Sequence, residues 1–209
     1  MTDVPLPLFE DEDGTGRTGS GVSFASAQRL RLDEHSWVEH VPGWLAGADD
    51  LFVELLALPG WEQRRRRMYD EVVTEPRLTA EYPDVRAAPS RLRELAGELG
   101  EHYGIAYDRL WLNLYRDHRD STGWHGDGAS ARRRECVVPV LSLGAPRHFL
   151  LRPTEGGPSR RLRPAGGDLV VMGGRCQTDW RHCVPKQGAA SGPRISVNFA
   201  ASSQAVPDR

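Results

Sequence analysis

The sequence predicts an α+β protein in which two helices precede and support an antiparallel sandwich or jelly roll. Apolar residues recur at helical spacing twice before residue 105, whereas residues 109–115 alternate strictly between apolar and other side chains. Further short apolar segments follow as far as residue 199, separated by turns rich in glycine and proline. Helices followed by many short strands are typical of an antiparallel sheet packed against helices. The length of 209 residues fits one domain.

The two helices are predicted from their first residues and from their apolar spacing. Asp49 and Asp50 provide an acidic first turn for a short helix, whose apolar residues are Leu51, Leu55, Leu56 and Leu58. Pro89 and Ser90 open the second helix, and Gly104 suits its C-terminal cap. Its apolar face consists of Leu92, Leu95, Leu99 and Tyr103.

Strands account for most of the chain after residue 108. The alternation in residues 109–115 places three leucines on one face and Trp111, Asn113 and Tyr115 on the other. A second strand is predicted at 136–143, where Pro139 favours an edge or a bulge position. Further strands are predicted at residues 147–152, 168–172 and 194–199.

Composition and charge exclude several classes of protein. Apolar residues make up 39% of the chain, and the longest apolar runs are far too short to cross a membrane. The N-terminus lacks the pattern of a secretory signal, so we expect a cytoplasmic protein. Residues 1–22 read as a flexible acidic and glycine-rich tail, and residues 23–209 as one domain. Cys136, Cys176 and Cys183 have no C-x-x-C spacing and are expected to be reduced thiols.

A polar segment after the first strand indicates a metal site. His125 and Asp127 are two residues apart, so both side chains point to the same side of an extended segment, and His182 follows a later strand. Two histidines and one carboxylate form the facial triad of non-haem Fe(II) oxygenases. Arg194 heads the last strand and could pair bidentately with a carboxylate co-substrate. Ser196 and Asn198 share its face.

The order of these motifs resembles the AlkB family of Fe(II)- and 2-oxoglutarate-dependent dioxygenases, which repair alkylated nucleic acid. The likeness covers residues 60–200, and the matching segments are Asn113-Leu-Tyr115, Trp124-His-Gly-Asp127, Ser142-Leu-Gly144, Gly167 to Gly174, His182 and Arg194 to Phe199.

The resemblance implies a double-stranded β-helix, or jelly roll, with its core at residues 109–200. A nucleotide-recognition lid and a support helix would occupy residues 60–105. His125, Asp127 and His182 would hold Fe(II) and, with Arg194, form the catalytic site. The co-substrate 2-oxoglutarate would contact Asn113, Tyr115, Arg194, Ser196 and Asn198. With O2, such a site would dealkylate bases in DNA or RNA and release an aldehyde, succinate and CO2.

The nucleic-acid contacts are the least constrained part of this prediction. By position in the lid, Arg64, Arg65 and Arg77 would contact phosphates and Tyr82 would contact a flipped base, which His125 would help to stack. Trp124 lies near the site, whereas Trp111 is expected to pack in the core. A run of arginines is also typical of a solvated face, so that alternative remains open. We expect a monomer that binds alkylated DNA or RNA.

The sequence departs from the family at two places. The last strand usually carries a second arginine six residues after the first, and this chain has Ala200; Ser196 and Asn198 also replace the usual Asn and Thr. Arg119 or Arg132 could supply the missing cation. Ala129 stands where many relatives have a carboxylate near the target base.

Three alternative functions remain: a superfamily oxygenase acting on a small molecule or a protein, a nucleic-acid-binding homologue with weakened catalysis, and a zinc hydrolase.

Overall fold

The computed structural model describes residues 21–68, 71–127 and 135–202. The acidic part of the tail, Ala129 and Arg132 lie outside the described residues. The helices are α1 (Ala48–Leu56), α2 (Ser90–Tyr103) and the short α3 (Cys176–Asp179). The strands are β1 (Gln28–Arg31), β2 (Ser36–Val41), β3 (Arg65–Met68), β4 (Glu71–Thr74), β5 (Leu78–Tyr82), β6 (Arg109–Tyr115), β7 (Thr122–His125), β8 (Cys136–Gly144), β9 (Phe149–Pro153), β10 (Arg160–Leu162), β11 (Leu169–Gly174), β12 (Trp180–Val184) and β13 (Arg194–Ala200).

Two antiparallel sheets form the body of the domain. The larger has seven strands in the order β1-β2-β11-β8-β13-β6-β5, and the smaller has four in the order β10-β9-β12-β7. β3 and β4 form a separate hairpin. Within the described residues, every strand pairing is antiparallel. The prediction of antiparallel sheets supported by helices is confirmed.

The helices cover one face of the larger sheet, as the apolar spacing predicts. Leu92, Leu95 and Leu99 of α2 are fully buried against the three leucines of β6 and the apolar face of β13. The helix ends at Gly104, which has a φ of 69° and donates its N–H to the carbonyl of Gly100. The left-handed conformation is one that glycine adopts at low cost, which explains why the helix ends there.

The opposite face of the larger sheet packs against the smaller sheet. This second core joins Val138, Val140 and Tyr115 of the larger sheet to Phe149 and Leu151 of the smaller one. Along β13, Ile195, Val197 and Phe199 belong to the core under the helices, whereas Arg194, Ser196 and Asn198 line a cavity between the sheets. The predicted division of this strand into two faces is therefore confirmed.

Several predicted elements differ from the structure. α1 begins at Ala48 and ends before Leu58. β8 lies between β11 and β13 in the sheet, but β13 pairs with it only from Val140 onward. Pro139 therefore pairs with β11 alone, so it occupies a local edge position although its strand is central. Strands β1 to β5, β7, β10 and β12 were not predicted.

Two further expectations concern the cysteines and the possibility of a membrane-spanning helix. Cys136, Cys176 and Cys183 are buried and form no disulfide within the described residues, in agreement with the prediction. Among the described helices, none combines the length and apolarity needed to cross a membrane.

Candidate metal and co-substrate site

The smaller sheet brings His125, Asp127 and His182 together. His125 ends β7 and lies directly opposite His182 of β12 in the strand pairing, while Asp127 follows two residues after His125. The Oδ1 atom of Asp127 lies 3.6 Å from Nε2 of His125 and 3.5 Å from Nε2 of His182. One ligand atom from each side chain lies within 4.8 Å of the other two. Two imidazole nitrogens and one carboxylate oxygen therefore converge on a single point.

Neighbouring groups orient both histidines. The Nδ1 atom of His125 lies 2.8 Å from the carbonyl oxygen of Gly123. A carbonyl oxygen only accepts hydrogen bonds, so Nδ1 carries the hydrogen and Nε2 keeps a free lone pair. The ring of His182 stacks on Phe149 at 5.4 Å between centroids. Both Nε2 atoms are thereby presented as ligands.

Gln177 holds the carboxylate of Asp127 from the other side. Its Nε2 donates to Oδ2 of Asp127 at 2.8 Å, and its Oε1 accepts the backbone N–H of Asp127 at 2.8 Å. Gln177 is fully buried on α3, which joins β11 to the strand that carries His182. Because one carboxylate oxygen is bound to Gln177, Oδ1 is left for a metal ion. No local sequence pattern marks this glutamine, and sequence reasoning missed it.

The protonation states of the cluster suit metal binding. Burial, followed by the neighbouring His182, lowers the pKa of His125 to about 4. Burial alone would raise the pKa of Asp127, but the two histidines and Gln177 outweigh it and lower the pKa below its usual value. His125 is thus neutral and Asp127 ionised near neutral pH, which are the forms that bind a cation.

Arg194 lines a cavity of about 50 Å³, and the three candidate metal ligands, His125, Asp127 and His182, line it too. The side chain is buried; its Nη2 donates to Oγ of Ser142 at 2.8 Å, and its guanidinium lies 5.4 Å from the ring centroid of Tyr115. Among the described residues, nothing accepts a hydrogen bond from Nε or Nη1 of Arg194. Buried polar groups without partners are rare in folded proteins, so these two donors indicate a missing anion.

The other predicted co-substrate residues share this cavity. Asn113, Tyr115, Ser196 and Asn198 all line it. Nδ2 of Asn113 donates to Oγ of Ser196 at 3.2 Å, which ties β6 to β13, and the hydroxyl groups of Tyr115 and Thr122 lie 2.8 Å apart. The structure therefore brings together all five residues that the sequence assigned to 2-oxoglutarate.

A larger cavity of about 620 Å³ opens beside the metal cluster. Its volume lies within the range of ligand pockets. Four of the residues that the sequence analysis assigned to substrate contacts line it: Arg64, Arg77, Tyr82 and Trp124. Arg65 is exposed on β3 and is not part of the lining. The guanidinium of Arg152 stacks on Trp124 at 4.2 Å from the ring centroid.

Three sequence interpretations need correction. Trp111 is half-buried and lines both cavities rather than packing in the core; its place on the same strand face as Asn113 was the available signal. Arg77 is only 16% exposed and is engaged by Glu75 and Asn113, so it lies in the cavity wall rather than on an outer phosphate-binding face. Arg119 is exposed, pairs with Asp117 and does not line the small cavity.

Comparison with known proteins identifies the family. The sequence model of the 2OG-Fe(II) oxygenase superfamily matches residues 45–199. The chain belongs to the 2OG-Fe(II) oxygenase superfamily. Among curated proteins, the human alpha-ketoglutarate-dependent dioxygenase alkB homolog 3 is 32% identical over 173 residues, which cover 73% of this chain and 60% of the relative. The Arabidopsis thaliana DNA oxidative demethylase ALKBH2 is 29% identical over 119 residues, covering 46% of this oxygenase and 38% of the relative.

Solved structures agree on the fold. An oxidoreductase of the 2OG-Fe(II) oxygenase family from Burkholderia pseudomallei is 18% identical, with a TM-score of 0.53 and coverage of 82% of this chain and 89% of that one. OsALKBH1 is 12% identical, with a TM-score of 0.57 and coverage of 83% and 100%. The resemblance to the AlkB family and the jelly-roll core are confirmed. This oxygenase spans about three fifths of the length of the alkB homolog 3 relatives.

The cofactor prediction is confirmed at the level of the family, which uses Fe(II), 2-oxoglutarate and O2. The residues present fit these groups. His125, Asp127 and His182 supply the ligand types of a non-haem Fe(II) site with open positions. The two unpartnered nitrogens of Arg194 fit a carboxylate of the co-substrate.

Replacing Gln177 with leucine is expected to weaken metal binding by about 10–100-fold, the usual cost of removing a group that orients a metal ligand. The reason is that Oδ2 of Asp127 loses its donor and the carboxylate becomes free to rotate. Calorimetric titration with Mn(II), which does not turn over, measures this directly. Replacing Gln63, an exposed glutamine that donates to the Glu75 carbonyl, provides the control. Equal metal affinity in the wild type and the leucine variant would contradict a positioning role for Gln177.

Proposed function

We propose that this oxygenase removes alkyl groups from bases in DNA or RNA by Fe(II)- and 2-oxoglutarate-dependent oxidation. The observation that carries the proposal is the placement of the candidate metal ligands between two cavities. His125 and Asp127 line both the small cavity that holds Arg194 and the large cavity that opens outward. A co-substrate bound in the first cavity and a base entering the second would meet at the metal.

The protein's residues would position the reactants. His125, Asp127 and His182 would hold Fe(II), and Arg194 would bind the distal carboxylate of 2-oxoglutarate. With O2, these bound groups supply the oxidising chemistry that places a hydroxyl group on the alkyl carbon, while 2-oxoglutarate becomes succinate and CO2. The resulting N-hydroxyalkyl base then breaks its carbon–nitrogen bond and releases an aldehyde and the unmodified base.

The large cavity has features suited to a flipped base. Tyr82, Trp111 and Trp124 provide aromatic surface, and His125, with its side chain 36% exposed, presents a ring at the inner end. A base must leave the helical stack to reach an enclosed metal, and flat aromatic side chains compensate for the lost stacking. The names of the relatives, which include a DNA oxidative demethylase, support the same substrate class.

The decisive experiment reconstitutes the protein with Fe(II) under anaerobic conditions and then adds O2, 2-oxoglutarate and oligonucleotides. We expect methylated or etheno-bridged oligonucleotides to stimulate succinate release and to yield repaired bases, while unmodified oligonucleotides of the same sequence do not. Succinate release that never depends on the oligonucleotide would favour the small-molecule or protein oxygenase. Binding of oligonucleotides without turnover would favour the homologue with weakened catalysis.

The location of phosphate contacts gives a separate prediction. Arg64 pairs with Glu81 at 2.7 Å, with both side chains about half exposed, and Arg65 is exposed on β3. Exposed ion pairs contribute little, so a phosphate can displace Glu81 at small cost. We expect Arg64→Ala and Arg65→Ala each to weaken oligonucleotide binding and to flatten the slope of log K against log salt by about 0.7.

Fluorescence anisotropy with a labelled single-stranded oligonucleotide at several salt concentrations would measure both quantities. Arg160→Ala is the matched control, because Arg160 is an exposed arginine on β10, at the opposite edge of the smaller sheet from β7. If the two variants and the control have the same slope as the wild type, Arg64 and Arg65 are solvated residues. The monomeric state and the cytoplasmic location also belong to this proposal; light scattering of the purified chain tests the first.

A further inference from the structure

A second arginine reaches the small cavity from the edge of the larger sheet. Of the described arginines, Arg77 and Arg194 line this cavity. The Nε atom of Arg77 donates to Oδ1 of Asn113 at 3.0 Å, and its Nη2 lies 2.9 Å from Oε2 of Glu75. Asn113 in turn donates to Ser196, so the Arg77 side chain is fixed to the wall formed by β6 and β13.

The sheet register places the two arginines on either side of one tyrosine. Arg194 pairs with Tyr115 in the β13–β6 ladder. Leu78 pairs with Leu114 in the β5–β6 ladder, so Arg77, one residue before it, lies level with Tyr115 from the other side. The guanidinium groups that lie over the Tyr115 ring are those of Arg194 and Arg147, at 5.4 and 5.6 Å from its centroid. Arg77 reaches the cavity wall beside them through its hydrogen bond to Asn113.

The two arginines occupy different ends of the site. Arg194 lines the small cavity and not the large one, and its side chain is almost fully buried. Arg77 lines both cavities, together with Asn113, His125 and Asp127, and so lies where the cavities meet at the metal cluster. The ligand expected between them, 2-oxoglutarate, also has two ends: a distal carboxylate, and a second carboxylate beside the keto group that chelates the metal.

We propose that Arg77 is the second cationic anchor of the co-substrate and holds the carboxylate that chelates the metal, while Arg194 holds the distal one. The inference rests on the proposed 2-oxoglutarate site at Arg194. It also accounts for Ala200, which lines the large cavity and brings no charge to the end of β13. Arg77, which directly precedes β5, supplies the cation instead. Its hydrogen bond to Asn113 fixes the guanidinium in the wall of the small cavity.

The alternatives fit the structure less well. A phosphate contact requires an accessible guanidinium, and Arg77 is only 16% exposed. A purely structural ion pair with Glu75 would not explain why Nε is aimed at Asn113, a residue of the co-substrate cavity. Glu75 partly neutralises Arg77 in the free protein, but the remaining guanidinium N–H groups can still donate to a carboxylate, because the fork has five of them.

Calorimetric titration of the 209-residue chain loaded with Mn(II) tests the proposal without turnover. Two ligands distinguish the two ends: 2-oxoglutarate, and 2-oxopentanoate, which keeps the keto acid and replaces the distal carboxylate with a methyl group. We expect Arg77→Gln, which keeps an amide near Asn113 but loses the charge, to weaken both ligands by about 10–100-fold. Arg194→Met should weaken 2-oxoglutarate but leave 2-oxopentanoate unchanged.

The controls separate this inference from the proposed function. Arg119→Gln removes an exposed arginine that, like Arg77, pairs with a carboxylate. This variant should bind 2-oxoglutarate and 2-oxopentanoate as tightly as the wild type does. Arg77→Lys, a second variant that keeps the charge, should recover part of the lost affinity. If the wild type binds no 2-oxoglutarate, both proposals fail. If it binds, and Arg77→Gln retains wild-type affinity or loses affinity for 2-oxoglutarate alone, the role of Arg77 is overturned while the proposed function stands.

Discussion

Replacing His125, Asp127 or His182 with alanine is expected to abolish metal-dependent turnover. Each variant removes one of the three ligand atoms that lie within 4.8 Å of one another, and the described residues around them offer no fourth side chain of the same type. Loss of a group that merely orients a ligand costs about 10–100-fold in metal affinity, so loss of a ligand should cost more than a hundredfold. Titration with Mn(II) and measurement of succinate release would give both quantities.

The fold should survive these substitutions. The three side chains lie at a cavity rather than inside either hydrophobic core, and neither core contains any of them. We therefore expect the metal-free variants to unfold close to the wild-type temperature. His35→Ala, which removes an exposed histidine, is the matched control and should keep full metal affinity. Full metal binding by any one of the three ligand variants would exclude that residue from the centre.

The candidate site residues whose strand faces could be predicted from the sequence lie on strands with strong alternation. In β6 and β13 the apolar residues alternate with polar or aromatic ones, so the face of Asn113 and Arg194 could be assigned before their strands were paired. His182 was predicted from its order after His125 and Asp127. Its place in β12, directly opposite His125, could not be predicted, because the pairing depends on how the smaller sheet is assembled.

The residues that sequence reasoning missed or misplaced depend on contacts between distant segments. Gln177 lies 50 residues from Asp127 in the chain, and its own segment shows no periodicity. Arg77 was expected to contact phosphate because of its position in the lid that the resemblance implies. Its position depends on β5 joining the edge of the larger sheet, which brings it to Asn113, 36 residues away. Register between strands, rather than local composition, decides such placements.

Removing the buried guanidinium of Arg194 is expected to preserve or raise the stability of the ligand-free protein while it weakens co-substrate binding. Burial lowers the pKa of Arg194, and two of its nitrogens have no acceptor among the described residues. A buried, incompletely paired charge is costly, and replacing it with an apolar side chain of similar length is often neutral or stabilising. We therefore expect Arg194→Met, without ligand, to unfold at the same temperature as the wild type or at a higher one.

The same variant should bind 2-oxoglutarate at least about thirtyfold more weakly, because truncating one partner of a buried charge pair costs roughly 2–5 kcal/mol. Binding to the folded state alone raises the unfolding temperature, so saturating 2-oxoglutarate should stabilise the Mn(II)-loaded wild type and leave Arg194→Met unchanged. Thermal unfolding of both proteins, with and without the ligand, measures the two effects together. Ser142→Ala removes only the hydroxyl that accepts from Nη2 and should keep most of the ligand-induced shift. An Arg194→Met protein that is destabilised without ligand yet still stabilised by 2-oxoglutarate would show that this arginine supports the fold and that the distal carboxylate is bound elsewhere.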